Sequence, residues 1–145
     1  MDSKIKDIPQ AKKELEKEML KGIIEYLKYG KVPNNNVNSF MNVYIIVKEV
    51  ADLGYKARKE LFAYYSKIIS NFVDFSFQKI TKESNINFID SFIENTEKIN
   101  TLINWMYKIF SYIERLHENG KQTLSKNAME IYTNKFFIPI QKKNI

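Results

Sequence analysis

Between Thr101 and Leu116 the chain carries two apolar stripes at helical spacing where one would suffice. Ile103, Met106, Phe110 and Ile113 form the first, at steps of three, four and three; Leu102, Trp105, Ile109, Tyr112 and Leu116 form the second, at three, four, three and four. At roughly 100° per residue the two stripes together cover about half of the helix circumference. A helix on the surface of a small domain needs a single stripe a little over about 100° wide. This segment is therefore wedged between neighbouring helices, or it keeps apolar surface for a partner.

The rest of the chain reads as helix as well. A first helix is expected from about Pro9 to Tyr29, capped by Asp7, with Leu15, Met19, Ile23 and Leu27 on its buried side and Gly30 and Pro33 ending it. Asn34 to Asn38 form the clearest loop, because asparagine competes with helix for local turns. A second helix starts at an Asn38 or Ser39 cap and continues to about Asp52, with Gly54 as a left-handed stop. The third, from Tyr55 to about Ile80, repeats Leu61, Tyr65, Ile68 and Phe72; a polar break with Ser84 as a cap follows. The fourth, from about Asn87 to Leu116, traces its first stripe back through Ile99, Thr96 and Phe92 to Ile89, which makes all of that line core. Gly120 closes it. The fifth starts near Thr123 or Ser125, carries Ala128, Ile131, Tyr132, Lys135 and Phe136, and ends or kinks at Pro139. Five helices with short connections, no internal repeat and no linker imply one all-α domain over residues 1–145, an antiparallel bundle.

Composition narrows the function. Glycine (4) and proline (3) are too scarce for an all-β fold built on tight turns. The net charge of +6 is carried by lysine; Arg58 and Arg115 are the two arginines, and the lysines interleave with glutamates as on a solvated helix face. Sequence-specific nucleic-acid readers favour the bidentate arginine fork, so this balance argues against one. With no cysteine, disulfides and thiolate metal sites are excluded, and a reducing compartment is compatible. Residues 1–7 do not resemble a signal peptide, and no apolar run approaches the roughly 20 residues of a membrane span. The expected setting is intracellular, cytoplasm or nucleus.

No catalytic constellation is visible. His117, the sole histidine, sits beside Glu118 at a helix end, where the dipole favours its cation. One histidine without cysteine makes a zinc site improbable. Asp74, Asp90, Glu94 and Glu97 have ordinary helix-surface spacing, and no glycine-rich phosphate loop follows a strand. No enzyme, cofactor or metal is expected.

The second helix repeats the surplus of the fourth. Val43, Ile46, Val47 and Val50 make the natural core face; Phe40, Met41, Tyr44 and the stem of Lys48 make an adjoining one, with Asn42 and Glu49 on the polar side. Aromatics, methionine and a snorkelling lysine suit a binding surface. The same residues would also serve as plain packing against the fourth or fifth helix, and composition favours neither.

Four motifs in order resemble the cullin family. Ser39-Phe40-Met41-Asn42-Val43-Tyr44 is similar to the cullin second-helix pattern, and Gly54 opening a long helix with Leu61 and Tyr65 to its third-helix start. Ile109 to Arg115 resembles the stretch with tyrosine, aliphatic, polar residue and arginine; Ala128 to Tyr132 through Phe136 to Ile140 resembles the closing helix. The resemblance runs from about Leu20 to Ile140 and implies a first cullin repeat, a five-helix bundle at the N-terminus of a multisubunit ubiquitin-ligase scaffold. It implies a BTB/Skp-type adaptor, alone or with its substrate receptor, as partner. Carried over by motif, Phe40, Met41 and Tyr44 are contacts from the second helix, Lys48 flanks them, and Tyr112 and Arg115 come from the fourth. Lys48 stands where the family often has tyrosine, and His117 where an aromatic often follows the arginine. The further repeats, the RING-binding domain and the modifier-acceptor lysine are not in this sequence, so the resemblance implies a module that binds an adaptor without itself positioning a ubiquitin-charged enzyme. It is expected to be a piece of a longer scaffold, with a natural end at Ile145 as the alternative. Two other readings of the same surface are a basic module for an anionic partner, RNA or membrane, and self-association.

Overall fold

Apolar residues recur at three- and four-residue steps through most of the chain, and in the computed structural model these runs coil into helices around one continuous core. The structure describes residues 8–15, 17, 21–30, 37–82, 87–116 and 123–143. These are almost entirely helical, with no strand among them. The order is α1 (Ile8–Leu15), α2 (Lys21–Tyr29), α3 (Val37–Ala51), α4 (Tyr55–Thr81), α5 (Phe88–Arg115), α6 (Thr123–Tyr132), a π turn (Thr133–Phe137) and α7 (Ile138–Lys143). Asp7, Met19, Pro33, Ser84 and Gly120, to which the sequence assigns caps, core or stops, lie outside the described residues, as does His117, read as a surface residue at a helix end.

The two-stripe helix is α5, and its surplus is explained by position. It packs against α2, α3, α4 and α6, so both stripes find neighbours. Leu102, Ile103, Met106, Ile109, Phe110 and Ile113 are buried, while Trp105, Tyr112 and Leu116 are partly buried against the core. Phe110 meets Tyr65 of α4 edge-on at 5.6 Å between ring centroids, and Trp105 lies 6.3 Å from Tyr26 of α2. Each fully buried side chain of this size contributes about 1.5–3 kcal/mol from burial.

Several expectations need correction. The line of core residues does not continue to Ile89, which is 70% exposed; Ser91 and Asn95 are buried in its stead, followed by Ile99. The cause is geometric: a strict seven-residue pattern drifts about 20° per heptad on a straight helix, roughly 70° over the distance from Ile113 to Ile89. Asn95 Nδ2 donates to the Ser91 carbonyl at 2.8 Å, which keeps its amide paired inside the core. On α4, Ile69 is fully buried and Ile68 only partly so.

Boundaries shift too. Leu15 in α1 and Ile23 and Leu27 in α2 are buried as expected, while residues 16 and 18–20, which the sequence reads as joining them in one helix, lie outside the described residues. Gly30 ends α2 at φ +72°, its N–H bonded to the Tyr26 carbonyl at 2.8 Å. The α3 helix begins at Val37, so Asn38 and Ser39 lie inside it rather than at its cap. Gly54 is not in the left-handed helical well: φ +139° and ψ −176° place it in a region open to glycine alone, where it ends α3 and opens α4 together. Pro139 does not terminate the last helix. The backbone widens into the π turn, where the Ile138 N–H reaches the Thr133 carbonyl, and then resumes as α7 with the proline in its first turn. Proline clashes with the carbonyl four residues before it, and a locally wider turn relieves that crowding.

Candidate functional site

The α3 helix turns Val43, Val47, Val50 and Ala51 into the core, which fixes the direction of every other side chain on it. Met41, Ile45, Lys48 and Asp52 follow at steps of four, three and four, within roughly 60° of one another at 100° per residue. All four are exposed; Met41 retains 54% and Ile45 44% of its surface. Tyr44 is half-buried at the edge of this stripe.

The end of α5 meets the same edge. Tyr112 donates its hydroxyl to Asp52 Oδ1 at 2.7 Å, and Lys48 Nζ lies 5.8 Å from the Tyr112 ring centroid. That separation suits a cation–π contact. The hydrogen bond to Asp52 is the main cause that holds the Tyr112 phenol above the usual tyrosine value; desolvation, the Asp52 charge and the neighbouring Tyr44 act in the same direction, and Arg58 opposes them. Arg58 in turn donates through Nε to the Ala51 carbonyl at 3.1 Å, anchoring the start of α4 to the end of α3.

Of the residues named from the sequence, Tyr44, Lys48 and Tyr112 therefore come together across the α3–α5 seam, with Met41 exposed on the adjoining stripe. Arg115 is exposed on the last turn of α5, where its charge acts on the Tyr107 phenol. Phe40 belongs to α3, but its side chain lies outside the described residues. Ile45, Asp52 and Arg58 belong to the same surface and were not singled out by sequence. The four-three-four spacing from Met41 could have found the first two; the Arg58 contact crosses a turn and leaves no periodic signal.

The arrangement has the chemistry of a contact surface: apolar area, one phenol already bonded, and flanking charge. Among the described residues, no group of three or more histidines or carboxylates could hold a metal ion, and no helix is long and apolar enough to cross a membrane. No protein-family model matches the chain, and comparison with curated proteins and with solved structures likewise gives no match.

Proposed function

We propose that the chain is a non-catalytic docking module that holds a partner protein against α3 and the end of α5. In its finer form, this is the adaptor-binding first repeat of a cullin-type ubiquitin-ligase scaffold, acting inside the cell on a BTB/Skp-type adaptor. The observation that carries the reading is the convergence of Tyr44, Lys48 and Tyr112: two segments far apart in sequence, picked by motif, share one seam beside the exposed Met41 and Ile45. The four ordered motifs supply the family and the type of adaptor. The burial pattern supports a surface role as well, because α3 buries a separate face of Val43, Val47, Val50 and Ala51 and leaves Met41 and Ile45 exposed.

The test is calorimetric titration of the chain with a recombinant Skp-type adaptor and a recombinant BTB-domain adaptor, at low and high salt. One of them binds with one-to-one stoichiometry, and Tyr44→Ala weakens it by on the order of 2 kcal/mol, roughly thirtyfold, as removal of a central aromatic anchor does. Thermal unfolding of the variant shows that the fold survives. Binding to neither adaptor contradicts the finer reading. Binding instead to single-stranded RNA or anionic vesicles, with an affinity that collapses as salt rises, replaces it with the anionic-partner reading.

A further inference from the structure

Tyr112 is held at two points from one end of α3. Lys48 lies in the last turn of α3 and Asp52 just past its end, its N–H bonded to the Lys48 carbonyl at 3.0 Å. Asp52 accepts the phenol hydroxyl at 2.7 Å while Lys48 lies over the ring at 5.8 Å from its centroid. The tyrosine itself belongs to α5, so these two contacts set its rotamer relative to the other half of the docking face. Asp52 is exposed, whereas its neighbours Val50 and Ala51 are fully buried, so its carboxylate serves the surface and not the core.

We infer that Asp52 is a positioning residue of the docking face: it fixes the Tyr112 ring against α3, so that a partner meets a preformed ring whose hydroxyl is already used. The inference rests on the docking reading above. A partner that had to order a free tyrosine on arrival would lose on the order of twofold to tenfold in affinity for that side chain alone. A ring tied down beforehand avoids the loss. It also selects the partner: with the hydroxyl proton committed to Asp52 and the Lys48 ammonium over the ring, the surface left at this point is ring carbon, which favours an apolar group opposite it.

The experiment is a double-mutant cycle on binding of whichever of the two adaptors wild type takes up. Asp52→Ala weakens binding about fivefold, Asp52→Asn keeps an acceptor oxygen and stays within about twofold of wild type, and Tyr112→Phe matches Asp52→Ala. The double variant Asp52→Ala/Tyr112→Phe is no weaker than either single variant, since both remove one bond. The thermal midpoint stays at the wild-type value throughout. Wild-type affinity of Asp52→Ala, additive losses, or a loss that tracks falling thermal stability overturns the inference. If wild type binds neither adaptor, the docking reading is what fails, and positioning is read on the free protein with 13C-labelled tyrosine. Nuclear Overhauser contacts between the Tyr112 ring and the Lys48 side chain are then present in wild type and Asp52→Asn and lost in Asp52→Ala. Their retention in Asp52→Ala overturns the inference there.

Discussion

Leu124, at the start of α6, has both of its backbone polar groups bonded to side chains from other helices. Tyr65 of α4 donates its hydroxyl to the Leu124 carbonyl at 3.0 Å, and Glu114 Oε1 of α5 accepts the Leu124 N–H at 2.8 Å. The N–H is one of the donors that every helix start leaves without an internal partner, so the carboxylate acts as a cap supplied from a distance. Removing the phenol leaves the buried carbonyl one partner short, and Tyr65→Phe is expected to lower unfolding stability by about 1–2 kcal/mol in urea titrations. Burial, with the Glu114 charge second, pushes the Tyr65 phenol well above its ordinary value. The sign follows: the native state keeps this proton while the unfolded chain releases it, so the contribution is complete below about pH 10 and is lost as pH rises further. Alkaline unfolding curves should therefore flatten in Tyr65→Phe above about pH 10; curves parallel to wild type would contradict this. At this scale the sequence is half legible. The stripe through Leu61, Tyr65 and Phe72 predicts that Tyr65 is inside, but its hydrogen-bond partner is 59 positions away and no local pattern points to it.

Helices as units are more legible than their ends. The α4 start at Tyr55 and the α5 end at Arg115 agree with periodicity and with Gly54 to within a residue. What failed is extrapolation along α5, where a heptad drawn from its C-terminal half ran onto the wrong side near its start. This makes a direct contrast. Ile89→Lys should change stability by less than about 0.5 kcal/mol, as exposed substitutions do, while Ile99→Ala should cost about 2–5 kcal/mol. Equal losses in the two variants, measured by chemical denaturation, would restore the heptad line and contradict the buried Ser91–Asn95–Ile99 register. The π turn before Pro139 was also out of reach, because proline signals the problem without saying whether the chain stops, kinks or widens.

For the whole molecule, the doubled stripe of α5 divides into two uses. Most of it is core, in contact with α2, α3, α4 and α6, and a helix with so many neighbours must be apolar over a wide arc. The remainder is the Tyr112 edge, which joins the exposed Met41–Ile45–Lys48–Asp52 stripe of α3. The sequence announced an excess of apolar surface on both helices, yet could not divide it between packing and docking, because helix spacing records a face and not what lies opposite. The all-α bundle was legible throughout; the joining of Tyr44, Lys48 and Tyr112 needed the fold. A second set of exposed apolar residues, Ile89 and Ile93 near the start of α5, lies several turns from Tyr112 on the same helix and serves as an internal comparison.

The proposal that the α3–α5 seam is a docking face is tested most directly by titrating 15N-labelled protein with each of the two proposed adaptors, Skp-type and BTB-type, unlabelled, and following its amide resonances. Changes concentrated in Met41 to Asp52 and around Tyr112 are the predicted result. Changes centred on Ile89 and Ile93, or spread evenly over the lysine-bearing surfaces with the α3 stripe silent, would contradict it.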